Sequence, residues 1–242
     1  MRLDLFLAKN GFVDSRTDAK NFIQGGQITV NGRVVTKPAY DIAGDEDIEV
    51  DKSSKRYVSR GGFKLEAALD AFKIDPSGRF ALDVGASSGG FTDCLLQRGA
   101  SRVIAVDSGS GQMVDSLRRD ARVSVIENFN ARYMTPENLE YTPDLAVMDV
   151  SFISAKLILP AVFGVLKCGG DFICLIKPQF EVGRGGLNKK GIVKSDKLCK
   201  EALDTVVESA ECCGFELVGF VDSPILGGDG NKEFLAHFKK GK

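Results

Sequence analysis

Seven short apolar runs recur along the chain from residue 79 onward, and polar or amphipathic stretches separate them. The runs RFALDVG (79–85), SRVIAVD (101–107), RVSVI (122–126), PDLAVMDV (143–150), DFICLIK (171–177), FELVGFV (215–221) and EFLAHF (233–238) have the length and content of strands. Helical spacing of apolar positions appears between several of them, in FKLEAALDAF, FTDCLLQRG, AKLILPAVFGVLK and KLCKEALDTVVESAECC. Strand and helix in alternation predict a parallel, doubly wound sheet. The last two runs are joined by SPILGGDGNK with no helix between them, so they are expected to pair antiparallel at one edge. The segment FEVGRGGLNKKGIVK (180–194) is expected to be a mobile loop.

The first fifty residues follow another pattern. Leu3, Leu5, Phe6 and Leu7 sit at helical spacing. A second helix is expected after Asp14-Ser15-Arg16, with Ala19, Phe22 and Ile23 on one face and a stop at Gly25-Gly26. QITVNGRVV reads as a hairpin turning at Asn31-Gly32, and DIEV as a further strand. The expected organisation is a small α+β unit at 1–50, a basic linker at 51–60 and an α/β domain at 61–242. It is drawn from this change of period.

Charge sharpens the picture locally rather than globally. The net charge is −1, yet residues 52–64 carry Lys52, Lys55, Arg56, Arg60 and Lys64 with no acid. Arg2, Lys9, Arg16, Lys20, Arg33 and Lys37 add a second set of cations. Each alone is an ordinary solvated side chain. Together they suit phosphate contacts on a folded RNA.

Several classes are disfavoured. A single histidine, His237, argues against Ser-His-Asp catalysis and His-rich metal sites, and no metal is expected. The six cysteines form no CxxC pair and read as reduced thiols. Asp4 and Lys9 interrupt the N-terminal apolar patch, which is therefore no export signal, and no apolar run reaches membrane-span length. A cytoplasmic protein without membrane association is expected.

The most informative string is ALDVGASSGGFTDCLL. A strand ending near Asp83 runs into Gly85-Ala86-Ser87-Ser88-Gly89-Gly90, and a helix begins about Phe91. Small residues let a ligand approach the backbone, and a helix start offers free N–H groups to an anion. Asp107 ends the next strand, where a carboxylate can accept hydrogen bonds from both ribose hydroxyls of an adenosine cofactor. The spacing is not GxGxxG. It suits the small carboxylate of S-adenosylmethionine better than a pyrophosphate, although it does not by itself exclude a nicotinamide dinucleotide.

Charged residues also close other apolar strands. Asp149 ends PDLAVMD, Lys177 ends DFICLIK, Glu233 opens the last strand and Lys64 lies in the helix before the sheet. All four are expected on the rim of strand carboxyl ends, where ligands bind in open α/β sheets. A lysine there can act as a base for a ribose hydroxyl where burial or a neighbouring cation disfavours its charged form. Lys64 is a candidate for that cation, and Asp149 and Glu233 for orienting the lysines.

These strings resemble, nearly end to end, the TlyA (hemolysin A) family of rRNA ribose 2′-O-methyltransferases. RLDLFLAKNGFVDSRTDAKNFIQGGQITVNGRVVTKP resembles an S-four-type (alpha-L) RNA-binding domain. ALDVGASSGGFTDCLL, MDVSFIS and LIKPQFEVGR resemble the motifs of an FtsJ-like domain. The resemblance implies a Rossmann-like class I methyltransferase with a mostly parallel seven-stranded sheet and an antiparallel last strand. It implies S-adenosylmethionine as cofactor and a Lys64-Asp149-Lys177-Glu233 catalytic set. It adds cofactor contacts at Phe152 and Asn130. Tyr57 stands where the family often has tryptophan. The implied substrate is cytidine ribose in large-subunit rRNA, with small-subunit rRNA as a second target in some members, met as free rRNA or as an assembled subunit. The short segment before RLD resembles the form restricted to the large subunit. A membrane-active cytolysin, the sense of the older family name, and an RNA-binding protein with an inactive catalytic domain are the alternative readings.

Overall fold

The computed structural model describes residues 1–13, 15–24, 27–50, 56–227 and 230–241, in two compact units, Met1–Arg60 and Gly61–Lys242. The expected helix start at Asp14, the stop at Gly25-Gly26 and the cations Lys52 and Lys55 lie outside the described residues.

In the first unit, helices α1 (Leu3–Lys9) and α2 (Arg16–Gln24) precede an antiparallel sheet of β1 (Ile28–Val30), β2 (Arg33–Val34) and β3 (Ile48–Val50), in the order β2-β1-β3. Leu3 and Leu7, one helical turn apart, are fully buried with Ile23 and Ile28. Leu5, two residues on from Leu3, turns to solvent, where it is 40% exposed. Ser15 caps α2 by accepting a hydrogen bond from the Asp18 amide at 3.0 Å. Asn31 and Gly32 both have positive φ, 51° and 71°, as a type I′ hairpin turn requires.

The second unit opens with α3 (Gly61–Phe72). It continues through β4 (Phe80–Val84), α4 (Gly90–Gln97), β5 (Arg102–Val106), α5 (Asp115–Arg118), β6 (Val123–Ile126), β7 (Leu145–Met148) and α6 (Leu159–Val165). The chain ends through β8 (Asp171–Ile176), α7 (Pro178–Glu181), α8 (Asp196–Cys212), β9 (Phe215–Asp222) and β10 (Phe234–Lys240). The seven strands lie in the order β6-β5-β4-β7-β8-β10-β9. Strands β4 to β8 run parallel, and β10 is antiparallel to both β8 and β9. This is the expected mostly parallel sheet with an antiparallel last strand. Strand β7 is buried at every position, because helices cover both faces of a central parallel strand. The edge strand β9 alternates in exposure instead. The chain reverses its direction of winding between β4 and β7, so a crevice opens at the carboxyl ends of these neighbours.

Two expectations change. AKLILPAVFGVLK is not one helix: Pro160 cannot supply the N–H a continuous helix needs, and a 3-10 turn at Ala155–Leu157 precedes α6. The segment 180–194, expected to be a loose loop, instead contains the end of α7, a 3-10 turn at Arg184–Gly186 and an antiparallel bridge between Leu187 and Val193. No helix among the described residues is long and apolar enough to cross a membrane.

Candidate active site

The glycine-rich loop closes first on backbone. The amides of Gly85 and Ala86 both donate to the carbonyl of Val106, at 2.8 and 3.2 Å. Gly85 has φ +86°, and a Cβ there would lie 2.4 Å from the carbonyl oxygen of Asp149. The small residue therefore lets the β4 and β7 ends approach each other. Ser87 takes φ +48°. Its amide donates to Asp107 Oδ2 at 2.7 Å, and the Gly109 amide donates to Asp107 Oδ1 at 2.7 Å. Asp107 is thus fixed at the lip of the crevice, with acceptor capacity left on both oxygens.

A cleft of about 590 Å³ opens here. Among the expected cofactor residues, Gly85, Ser87, Asp107, Asn130, Asp149 and Phe152 are on its wall. Ser88, Gly89, Gly90 and Phe91 are not on that wall; Gly89 caps α4, and Gly90 and Phe91 are buried in its first turn. Asn130 caps the 3-10 turn at Ala131–Tyr133, its Oδ1 accepting from the Arg132 amide at 3.1 Å. Phe152 is 92% exposed at φ +63°, with the Phe180 ring 5.3 Å away.

Asp83 lies behind this wall with no exposed surface. Thr92 Oγ1 donates to its Oδ2 at 2.6 Å, while Oδ1 has no hydrogen-bond partner among the described residues. Burial pushes its carboxyl up to about 7, the Asp149 and Asp107 charges add to the rise, and Thr92 opposes it. A buried acceptor of this kind is matched by a positively charged ligand. S-adenosylmethionine, with an ammonium, a carboxylate, a sulfonium and ribose hydroxyls, fits the set formed by Asp83, the glycine loop and Asp107.

The lysine and acid set assembles as two pairs. Lys64, on α3, donates to Glu233, which precedes β10; both are almost wholly buried. Strand β10 brings Glu233 to the rim because it pairs antiparallel with β8, Phe234 opposite Ile176. Lys177, at the end of β8, lies 2.5 Å from Asp149 Oδ1 at the end of β7 and donates to Ser151 Oγ at 2.7 Å. The charge beside Lys177 is therefore Asp149, one of the two acids expected to orient the lysines.

Ser151 and Glu181 were not singled out from sequence. Glu181 accepts from Ser154 Oγ at 2.6 Å and from the Ala155 amide at 2.7 Å, tying α7 to the segment after β7. Among the described residues no group of three His, Cys, Asp or Glu is placed to hold a metal.

In the first unit, Asp4 has no exposed surface and holds two of the expected RNA-binding cations. Arg2 donates to it through Nε and Nη2, both at 3.0 Å, and Arg16 through Nε at 3.1 Å. Their side chains remain 43% and 48% exposed. Burial alone would push the Asp4 carboxyl up, but the Arg2 and Arg16 hydrogen bonds and charges outweigh it and hold it below the usual range. Lys9, Lys20, Arg33, Lys37 and Arg56 are exposed, and Arg60 is half-buried.

The FtsJ-like methyltransferase model matches residues 57–240, and the S4 domain model matches residues 1–48. Hemolysin A of Brachyspira hyodysenteriae is 44% identical over 239 residues, 98% of this chain and 99% of that protein. The 16S/23S rRNA (cytidine-2′-O)-methyltransferase TlyA of Mycobacterium tuberculosis is 42% identical over 235 residues, 97% of this chain and 88% of that one. A solved structure from Streptococcus thermophilus that carries a hemolysin name superposes with a TM-score of 0.80 at 42% identity, covering 100% of this chain and 89% of that one. On these matches, with both domain models present and near-complete coverage, the chain belongs to the TlyA (hemolysin A) family of FtsJ-like methyltransferases with an N-terminal S4 domain.

Proposed function

We propose that the protein transfers a methyl group from S-adenosylmethionine to the ribose 2′-OH of a cytidine in large-subunit rRNA; small-subunit rRNA is a second candidate substrate. The observation that carries this reading is the placing of the Lys177–Asp149 and Lys64–Glu233 pairs on the rim that also carries the glycine loop. The relatives' naming as rRNA (cytidine-2′-O)-methyltransferases supports the substrate class.

Bound S-adenosylmethionine supplies an electrophilic methyl group on a sulfonium. The chain's own residues bind and orient. Asp107 accepts from the ribose hydroxyls of the cofactor, the small residues of the glycine loop let it lie close to the backbone, and the buried Asp83 carboxylate offsets the charge of its ammonium from behind the wall. Asn130 and Phe152 complete the wall. Lys177 Nζ, when uncharged, takes the proton of the attacking 2′-OH, and Asp149 and Ser151 hold that nitrogen in place. Lys64 and Glu233 fix the floor beside it. Alignment of the acceptor with the methyl group contributes at least as much as the proton transfer, which typically gives about 10²–10⁴-fold.

Arg2, Lys9, Arg16, Lys20, Arg33, Lys37, Arg56 and Arg60 bind structured rRNA through its phosphates, and residues 51–60 join this domain to the catalytic domain. The protein acts in the cytoplasm, on free rRNA or assembled subunits. The test is methyl transfer from labelled cofactor to each purified ribosomal subunit, followed by mapping of ribose methylation. Label on a base, or on neither subunit, overturns the reading.

A further inference from the structure

Between Gly183 and Ser195 the chain carries Arg184, Lys189, Lys190 and Lys194 and no acid. This stretch is held in shape. Asn188 closes its tip, its amide donating to the Ile192 carbonyl at 2.8 Å and its Oδ1 accepting from the Lys190 and Ile192 amides at 2.8 and 3.1 Å. The buried Asn231 pins it from outside. Its Oδ1 accepts from the Val193 amide at 2.9 Å, and its Nδ2 donates to the Gly191 carbonyl at 3.1 Å.

Both attachments lead to the catalytic rim. Helix α7 joins the hairpin to Lys177, and Asn231 stands two residues before Glu233. Arg184, Lys189 and Lys190 are exposed, and none of them has an acidic partner among the described residues. Nearby basic residues differ: Lys197 and Lys232 hold Glu201 and Asp196, and Lys194 turns back onto the Gly185 carbonyl. Cations without counter-charge, held out by an ordered backbone, are what a polyanion needs to bind with little loss of entropy.

From this we infer that the 184–193 hairpin is a phosphate-binding surface of the catalytic unit, which grips the RNA backbone beside the ribose presented to Lys177. The location rests on the methyl-transfer reading; the ligand class rests on the charge. The surface belongs to the catalytic unit and gives that unit its own hold on the nucleotides flanking the target.

The test compares full-length R184Q/K189Q/K190Q with wild type and with K189R/K190R, on purified large ribosomal subunits. Two readouts are taken, equilibrium binding across a salt series and steady-state methyl transfer. The triple variant is expected to bind roughly tenfold more weakly at low salt, and the slope of log affinity against log salt should become shallower by about two to three. Its KM for the subunit should rise, its affinity for S-adenosylmethionine should hold in calorimetry, and K189R/K190R should behave as wild type. Unchanged binding and slope overturn the inference. So does weaker binding with an unchanged slope, which reports altered shape rather than lost charge. If wild type methylates neither subunit, the methyl-transfer reading fails while the binding series still decides the hairpin.

Discussion

Lys64 and Glu233 meet across 169 residues of chain, with their side chains only 10% and 2% exposed. Neither charge has much access to water, so each depends on the other. Lys64→Ala or Glu233→Ala alone is expected to destabilise the catalytic unit by about 3–5 kcal/mol, because a buried charge is left without its partner. The double variant should cost clearly less than the sum. Denaturant unfolding of the four proteins measures the coupling, and additive effects would mean that the pair is not formed.

Lys177 is expected to matter for turnover and not for cofactor binding. Lys177→Ala should lower kcat by about 10²-fold or more while leaving the affinity for S-adenosylmethionine within a few-fold. Ser151→Ala should lower kcat by a smaller factor, since Ser151 accepts a hydrogen bond from Lys177 Nζ. Parallel loss of affinity and turnover in Lys177→Ala would contradict the assignment.

Gly85→Ala addresses the cradle. The added methyl group would meet the Asp149 carbonyl at 2.4 Å, and φ +86° is strained for alanine. Cofactor binding should be lost or strongly weakened in calorimetry. Gly78, with φ +73° and open space where a methyl group would stand, serves as the control: Gly78→Ala should keep cofactor affinity.

Asp83 gives a pH dependence with a definite sign. Its carboxyl sits at about 7 in the folded protein, mainly through burial, against 3.8 for an ordinary aspartate. Between those two values the native state keeps a proton that the unfolded chain has lost, so stability falls as pH rises across the window and levels off above it. Asp83→Asn should therefore gain stability relative to wild type between pH 4 and pH 8. A cationic ligand favours the charged carboxylate, so cofactor binding near pH 6 should release a proton. Calorimetry in two buffers of different ionisation enthalpy reads it, and identical heats would exclude that linkage.

Asp4 is expected to act on RNA binding through Arg2 and Arg16. Asp4→Asn keeps the shape but removes the charge that both guanidiniums share. Affinity for large-subunit rRNA should fall, while the cofactor affinity of the catalytic unit stays as it was. Because the folded Asp4 carboxyl lies below the usual range, its contribution to stability is present at neutral pH and disappears as the solution is acidified through that lowered value. An Asp4→Asn protein with wild-type RNA affinity would show that the arginines need no such anchor.

Strand positions and the glycine loop were largely legible in the sequence, because apolar runs and their terminal charges report where strands end. The four rim residues could be named for the same reason. Their pairing could not be read: which lysine takes which acid depends on how α3 lies against β10. Ser151 carries no sequence signal, since a serine after a strand is an ordinary turn residue. Asp4 was hidden as a lone acid among cations, and its role comes from burial between Arg2 and Arg16. The glycines at 183, 185, 186 and 191 made the 180–194 segment read as loose. Its order comes from Asn188 and from Asn231, some forty residues on, a contact that no local window contains.

The position of β10 has a consequence for how the enzyme comes into being. Because β10 lies between β8 and β9, these two strands cannot be joined into one sheet until residues 234–240 have been synthesised. Chains emerge from the N-terminus onward, and the acid that neutralises Lys64 arrives with this last strand. Strands β4 to β8 can assemble on a nascent chain, but with an unclosed edge and an unpaired lysine. Competence therefore waits for β10, and is not built up strand by strand as the chain grows.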